Sequence, residues 1–360
     1  MNARRAMDLH RYLTTHSRTA KVAYMPVAFN PSETTDHVAL RGVLPPAVLP
    51  MTPDGEVDTA SLQSHIGRLV AAGVHGIWAN GTTGEFYALD GELRTEVVRQ
   101  SVKAADGRVP VVAHVGDTSS ALTLRHAREA LAAGAAAVSV LPPYFVGFDQ
   151  DELKRHFRDL AQAIGQPVLA YHLPQMIPAT LSVDSIVELA ADGVLCGAKD
   201  SGSNMVWFRQ LQRQLRARDL SLPCLTGGSS VADLGYLLGA AGSVSSIGNL
   251  VPRHLVRQYE AAVAEDWQLV LALQDQSEEL ITRMIPPGRT PGPALTATVY
   301  KYVLSRQGLI DCAASAAPAT QLAVEDRQYL DDHVLPLVGE LEQQAGESDP
   351  AAASAPAYHP

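Results

Sequence analysis

Between residues 42 and 264 the chain alternates short apolar runs with longer segments in which apolar residues recur at helical spacing. In segment 59–72, for example, Leu62, Ile66 and Leu69 follow one another at intervals of four and three residues and predict one buried helix face. The apolar run 74–79 that follows has the length of a buried strand. The alternation predicts strands at 42–49, 74–79, 110–115, 136–141, 167–173, 194–199, 222–226 and 243–247, and helices at 59–72, 90–104, 119–133, 149–164, 183–191, 204–218, 231–238 and 252–264.

Glycines end several of the predicted helices, shortly before the next apolar run. They are Gly73, Gly134, Gly165, Gly193 and Gly239. A glycine in this place is typical of a C-terminal helix cap that leads into a buried parallel strand. Eight strand–helix units in succession predict an α/β protein with a (β/α)8 TIM barrel. The alternative is an open, doubly wound sheet, which is disfavoured because no G-x-G-x-x-G motif follows the first strand.

The segments outside the barrel differ from it in pattern. Residues 1–40 have no clear core pattern and are interpreted as an N-terminal extension, which leaves 41–264 as the TIM barrel and catalytic domain. Residues 265–345 have helical patterns at 267–284, 294–307 and 324–343 without strands between them, and these predict a C-terminal helical appendage. Residues 346–360 are rich in Ala, Pro and Ser and are expected to be disordered.

Composition narrows the classes of function. Hydrophobic residues make up 46% of the 360 residues, enough for a large core, and 28 basic against 38 acidic residues give a net charge of −10. No basic patch suggests nucleic acid, and no apolar run reaches the length of a membrane span. The three cysteines have no metal-ligand spacing, which is typical of a reducing cytoplasm. We therefore expect a cytoplasmic protein without a metal or other cofactor.

Lys199 is the residue from which the chemistry can be inferred. It closes the apolar run 194–199, so it is predicted at the carboxyl end of the sixth strand, where barrels of this class carry their active sites. An amine partly removed from water has a lowered pKa and can attack a carbonyl carbon as a nucleophile. The structural alternative is a lysine that buries its stem and extends its amine to solvent.

Other polar residues are predicted on the same rim. Thr82 and Thr83 lie between Gly81 and Gly84 after the second strand, in a loop whose hydroxyl and backbone N–H groups suit a carboxylate. Tyr171, near the end of the fifth strand, offers a phenol that can transfer protons. Further substrate contacts are expected after strands seven and eight, from Gly227, Ser229 and Ser246.

These residues predict a Schiff-base reaction on a 2-oxo acid, in which Lys199 attacks the ketone and the threonine loop binds the carboxylate. A structural role stays open for each of them, with the threonines as turn residues and Tyr171 as a core tyrosine. His114, His172 and Glu85 are interpreted as structural rather than catalytic.

Six short motifs connect the chain with a known enzyme family. They are G-T-T-G-E at 81–85, A-H-V-G at 113–116, P-P-Y at 142–144, Y-H-L-P at 171–174, G-A-K-D at 197–200 and G-S-V-S-S-I-G-N at 242–249. With them the chain resembles the dihydrodipicolinate synthase and N-acetylneuraminate lyase family of class I aldolases, over residues 40–310. The resemblance implies a TIM barrel with a C-terminal helical bundle, usually assembled as a homotetramer.

The resemblance also implies roles for individual residues. Lys199 matches the Schiff-base lysine and Tyr171 the proton-relay tyrosine. Thr82 and Thr83 match the carboxylate-binding pair, and Thr82 is also counted with the catalytic residues. The tyrosine that usually partners Thr82 is not expected in this chain, which would leave the proton relay to Tyr171 and substrate oxygens alone. The small-molecule partners would be a 2-oxo acid and an aldehyde.

Three departures from the family pattern bear on the substrate. The synthase branch carries an arginine two residues after the proline of Tyr-x-x-Pro, where Met176 stands here, and a second tyrosine after Pro-Tyr, where Phe145 stands. The sialic acid lyase branch has an acidic pair after the strand-seven glycine, where this chain has Gly228, Ser229 and Ser230. Neither the lysine-pathway synthase reaction nor sialic acid cleavage is therefore expected.

We expect a class I lyase that forms or cleaves a C–C bond between pyruvate, or a similar 2-oxo acid, and an aldehyde. A dehydratase of a 2-keto-3-deoxy sugar acid is an alternative that uses the same lysine imine and the same residues. A second alternative, of another class, is a catalytically silent barrel used for ligand sensing. A homo-oligomer, either tetramer or dimer, is expected from the resemblance.

Overall fold

The structure is a computed structural model that describes residues 40–316 and 318–347. The predicted N-terminal extension up to residue 39 and the predicted tail from residue 348 onward lie outside the described residues. Eight parallel strands form one sheet: β1 (Gly42–Val43), β2 (Ile77–Ala79), β3 (Val111–His114), β4 (Ala137–Val140), β5 (Val168–His172), β6 (Leu195–Asp200), β7 (Cys224–Thr226) and β8 (Gly242–Ser243).

The sheet closes into a barrel between its first two strands. Each of β2 to β7 pairs with the next strand in sequence, and β8 pairs with β1. Segments 43–47 and 75–78 complete the ring: the His75 N–H donates to the Val43 carbonyl oxygen at 2.8 Å, and the Ala47 N–H donates to the Trp78 carbonyl oxygen at 3.0 Å. The predicted (β/α)8 barrel is therefore confirmed.

A helix follows each barrel strand: α1 (Thr59–Ala71), α2 (Gly91–Ala105), α3 (Ser120–Ala132), α4 (Gln150–Ile164), α5 (Val183–Ala191), α6 (Met205–Ala217), α7 (Ala232–Leu237) and α8 (Pro252–Val263). Polar side chains cap several N-termini, as where Asp149 and Glu152 form a capping box on α4. The five glycines predicted to end helices all have positive φ.

In the C-terminal region, the residues that the structure describes form four helices: α9 (Trp267–Arg283), α10 (Pro293–Arg306), α11 (Val324–His333) and α12 (Leu335–Glu347). The helical pattern predicted at 324–343 corresponds to two helices, because the chain breaks between α11 and α12. Pro336 explains the break, since proline lacks the N–H that a continuous helix would need there. Helix α12 also includes residues 346 and 347, which the sequence assigned to the disordered tail.

Strand β8 was predicted too late in the chain, at 243–247, whereas the structure places it at Gly242–Ser243. Gly242 lies so close to β1 that a Cβ on it would be 2.1 Å from the Gly42 carbonyl oxygen, so the pairing requires a glycine. Residues Ser246–Asn249 form a 3₁₀ turn instead of a strand. The Asn249 side chain holds this turn in place, donating to the Pro46 and Ser246 carbonyl oxygens at 2.9 and 2.8 Å.

The barrel encloses a small apolar layer beneath its carboxyl rim. Its buried side chains include Trp78, Val112, Leu169, Leu225 and Val244. The alternate residues of the strands pack outward against the helices in a much larger core. Within the described ranges, no helix is both long enough and apolar enough to cross a membrane.

Candidate active site at the carboxyl rim

Lys199 lies in β6 and points into the barrel, with only 3% of its surface exposed. Its Nζ is 4.1 Å from the ring centroid of Tyr171 and 4.7 Å from that of Trp78. Burial lowers the pKa of Lys199 below its ordinary value of 10.5, and its contact with Tyr171 opposes this only in part. The amine is therefore more easily neutral than that of an exposed lysine, which a nucleophile requires.

Tyr171 lies in β5, directly paired with Lys199 across the two strands. Its hydroxyl is 3.5 Å from the Thr82 Oγ1. Burial raises the pKa of Tyr171, but the Lys199 charge and polar contacts with Thr82 and Ser201 outweigh it and bring this pKa below 10.0. The pKa values of the phenol and the amine are thus both lowered, and the two groups lie side by side, as proton transfer between them or through a bound substrate requires.

The G-T-T-G-E loop follows β2 and begins with a 3₁₀ turn at Thr82–Gly84. The Gly84 N–H donates to the Gly81 carbonyl oxygen at 3.0 Å, which fixes the turn over the barrel mouth. A Cβ on Gly84 would lie 3.0 Å from the Ala47 carbonyl oxygen, so only glycine fits without displacement. Among the described residues, none forms a hydrogen bond with the Thr83 hydroxyl, which leaves this group available to a ligand.

Gly227 follows β7 on the side of Lys199 opposite β5. Its N–H donates to the Asp200 carbonyl oxygen at 2.6 Å. A Cβ at this position would come within 2.9 Å of the Lys199 Cε and 2.1 Å of the Ser201 Oγ. The glycine therefore leaves room beside the lysine stem, and its contact with a substrate stays a prediction.

Ser229 and Ser246 lie on the rim, but other side chains engage their hydroxyls. The Ser245 Oγ donates to the Ser229 Oγ at 2.7 Å. The Ser246 Oγ is 2.8 Å from the hydroxyl oxygen of Tyr300 in α10. The structure thus brings Lys199, Tyr171, Thr82 and Gly227 into contact, and gives Ser229 and Ser246 partners outside that group.

The two histidines interpreted as structural have buried polar partners. The His114 Nδ1 lies 3.3 Å from the Ser139 Oγ, and burial together with the Arg94 and Lys199 charges holds the pKa of His114 well below 6.5. His172 faces away from the barrel interior, where its ring stacks on Trp207 and its Nδ1 lies 2.7 Å from the Asp200 Oδ1. These contacts agree with the interpretation of both residues as structural.

Glu85 is also structural in its contacts. One carboxylate oxygen accepts a hydrogen bond from the Ala316 N–H at 2.8 Å, and the other pairs with the Lys301 amine. The side chain is almost fully buried, so it is not positioned as a solvent-exposed base.

Two site residues were missed at the sequence level. Trp78 supplies the aromatic surface next to the Lys199 amine, and strand alternation in the run 74–79 would have placed it inside the barrel. Ser201, which contacts the Tyr171 phenol, was interpreted only as a turn residue. Ser201 comes two residues after Lys199. If the alternation of side chains is extended by one residue past the end of β6, Lys199 and Ser201 lie on the same face.

Comparisons with known proteins identify relatives of the chain. The sequence profile of the dihydrodipicolinate synthetase family matches residues 39–335. An uncharacterized DapA-like lyase from Halobacterium salinarum is 35% identical over 247 residues, covering 68% of this chain and 79% of the relative. A 4-hydroxy-tetrahydrodipicolinate synthase from Phenylobacterium zucineum is 35% identical over 276 residues, which cover 75% of this chain and 88% of the relative. The solved chloride-inhibited dihydrodipicolinate synthase from Acinetobacter baumannii, complexed with pyruvate, is 28% identical with a TM-score of 0.73, covering 83% of this chain and 98% of that one.

Proposed function

The chain belongs to the dihydrodipicolinate synthetase family, and we propose that it is a class I carbon–carbon lyase in which Lys199 forms an imine with pyruvate or a similar 2-oxo acid. The observation that carries the proposal is the buried Lys199 amine beside the Tyr171 phenol. At its reference pKa, only about one lysine in a thousand is neutral near pH 7.4. Burial of Lys199 raises that fraction and so favours attack on the ketone.

In the proposed reaction the neutral amine adds to the ketone carbon, and the proton that the amine nitrogen then loses goes to the ketone oxygen to give a carbinolamine. Tyr171 donates the proton with which that oxygen leaves as water, and the imine remains. The Thr83 hydroxyl and the backbone N–H groups of the turn hold the substrate carboxylate, and Thr82 orients the phenol.

In the cleavage direction the phenolate of Tyr171 removes the proton from the hydroxyl on the carbon that becomes the aldehyde. The C–C bond then breaks, an aldehyde departs, and the bonding electrons move into the imine to give an enamine. Protonation of the enamine carbon and addition of water to the imine release the 2-oxo acid and restore Lys199. The condensation direction is the reverse of these steps.

The aldehyde partner is proposed to differ from that of the named synthases. Met176 is half-exposed on the rim and cannot pair with a second carboxylate. Phe145 has no hydroxyl with which to relay a proton. We therefore propose an aldehyde other than aspartate semialdehyde as the second substrate.

The proposal also covers the oligomeric state of the protein and its location in the cell. Phe145 has 91% of its surface exposed, with the exposed Val146 beside it, and large apolar side chains in such a place are typical of surfaces buried by another subunit. We propose a homo-oligomer, dimer or tetramer, on this basis and on the family resemblance. The three cysteines are free thiols, which suits the proposed cytoplasmic location.

A product-mass screen tests the proposed reaction class. The protein is incubated with 2-oxo acids and aldehydes in pairs, and separately with 2-keto-3-deoxy sugar acids, and the products are identified by mass. New C–C adducts, or release of pyruvate from the sugar acids, support the lyase. Loss of one water from a sugar acid with no pyruvate released indicates the dehydratase instead. No turnover of any substrate, with no adduct on Lys199, indicates a silent barrel.

A further inference from the structure

Helix α10 belongs to the C-terminal region, yet two consecutive residues of this helix reach the rim of the barrel. Tyr300 and Lys301 are both almost completely buried. The Tyr300 hydroxyl forms a hydrogen bond with Ser246, just after β8, and the Lys301 amine forms an ion pair with Glu85, in the loop after β2. Because β1 lies between β8 and β2 in the closed barrel, α10 is attached to the rim on both sides of β1.

The contact between Lys301 and Glu85 is a buried ion pair with additional hydrogen bonds. Lys301 also donates to the Ala314 carbonyl oxygen at 2.9 Å, and Glu85 accepts from the Ala316 N–H at 2.8 Å. The exposed fractions of the two side chains are 0% and 3%. A buried ion pair costs much desolvation energy and contributes little net stability compared with apolar residues of the same size. Stability alone is therefore a weak explanation for this pair.

Glu85 is also the last residue of the turn that carries Thr82 and Thr83. Its N–H donates to the Thr82 carbonyl oxygen at 3.0 Å, so its backbone closes the turn while its side chain is held by Lys301. Its φ of +55° is in the left-handed region, which a non-glycine residue adopts at some cost and which its contacts must maintain. The turn and the C-terminal helix are thus joined through one residue.

We infer that Lys301 and Glu85 are positioning residues for the 2-oxo acid: the pair fixes the turn so that the Thr82 and Thr83 groups meet the substrate carboxylate. The inference rests on the proposed function, because the carboxylate it concerns is that of the substrate of Lys199. It gives the C-terminal helices a part in substrate binding that acts through the position of the turn.

The test is a pyruvate titration with borohydride trapping, in which the fraction of protein that carries the reduced adduct is measured by mass. Glu85→Gln keeps the acceptor for Ala316, and Lys301 can lose its proton opposite the neutral amide because burial already lowers its pKa. The double variant E85Q/K301M removes both charges and preserves the side-chain volume, so no unpaired charge is left to unfold the protein. Arg289→Met, which breaks an ion pair with Asp326 within the C-terminal region, is the matched control.

We expect both Glu85 variants to need about tenfold more pyruvate for half-maximal trapping, with the adduct still forming on Lys199 at saturation. Hydrogen exchange of the peptide covering residues 81–88 should speed up in the same variants. In the control variant, Arg289→Met, both measurements should stay within about twofold of the wild type, even if this variant has a lower melting temperature.

Two results would overturn the inference. The first is a lower melting temperature with an unchanged pyruvate titration, which would make the pair purely stabilising. The second is a control that shifts the titration as much as the Glu85 variants do. A wild-type protein that never traps pyruvate or another 2-oxo acid would be a different result, because it rejects the proposed function and the inference built on it together.

Discussion

Tyr171 and Lys199 are direct partners across β5 and β6, and the Lys199 Nζ lies 4.1 Å from the centroid of the Tyr171 ring. Both side chains point into the barrel, where they share one nearly dry space above Trp78. The register of two strands therefore sets the distance between the proposed nucleophile and the proposed acid. Rigid strands hold such a pair more closely than loops would.

Removing the Tyr171 hydroxyl should impair turnover much more than binding. Tyr171→Phe keeps the ring and its packing against Trp78 and His114, so the fold and the KM for the 2-oxo acid should change little. Loss of general acid–base catalysis typically lowers kcat by 10²–10⁴-fold, and we expect a fall of about that size. Steady-state kinetics provide the measurement. A kcat within a few-fold of the wild type would mean that another group moves the proton.

The Thr83 hydroxyl should contribute to binding of the carboxylate. Thr83→Val keeps the shape of the side chain but removes a hydrogen bond to a charged group, which is worth about 1.5–3 kcal/mol. We expect the KM for pyruvate to rise about tenfold or more. Thr118→Val is a suitable control, because Thr118 follows β3 outside the turn and bonds to its neighbour Asp117. An equal KM for wild type and Thr83→Val would mean that the loop is only a turn and that the Thr83 hydroxyl does not bind the carboxylate.

The chain should not condense pyruvate with aspartate semialdehyde efficiently. Met176 and Phe145 offer neither a cation for the second carboxylate nor a phenol for the relay. The prediction is checked by following condensation directly, with a lysine-pathway synthase as the positive control. Efficient turnover with this aldehyde would refute the substrate assignment while leaving the imine chemistry intact.

Stability should fall as the pH drops below neutral, because several histidines are buried in the neutral form. Burial is the main cause that lowers the pKa of His65 to about 3 and of His156 and His254 to about 4. In the unfolded chain these groups take up protons near their ordinary pKa of 6.5, so protons favour the unfolded state as the pH falls from 6.5 toward 4. Each group can contribute up to about 1.4 kcal/mol per pH unit in this window.

Urea unfolding at about pH 7.5 and about pH 5.5 measures this effect. His156→Gln should make the free energy of unfolding less dependent on pH than in the wild type. Equal free energies of unfolding for the wild type at both pH values would contradict the prediction.

The periodicity of the sequence was enough to predict the barrel and most of its helices. The helix-ending glycines and the apolar runs are local signals, and they lead to most of the observed elements within a few residues. Strand β1 is an exception, because it was predicted at 42–49 and covers only Gly42–Val43. Lys199 could be placed because a barrel rim is defined by strand ends, which the same pattern reveals. Strand β8 was misplaced because its pairing depends on the approach of Gly242 to Gly42, which are far apart in the chain.

The contacts between helix α10 and the barrel rim could not be predicted from local sequence pattern. In the sequence Lys301 is one charge within a mostly apolar helical segment, and only the tertiary fold brings it to Glu85, over 200 residues away in sequence. The Tyr300 contact with Ser246 depends on the same packing of α10 against the rim. Proline at position 336, by contrast, was a visible local signal for the break between α11 and α12.

The central claim is that Lys199 forms an imine, and mass analysis after reduction tests it most directly. The protein is incubated with pyruvate and sodium borohydride, digested, and the modified peptide is sequenced. Lys199→Ala is the negative control, and Arg289→Met should react as the wild type does. The account predicts one stable adduct, located on Lys199 and absent from Lys199→Ala. An adduct on a different lysine, or no adduct with any 2-oxo acid, would contradict it.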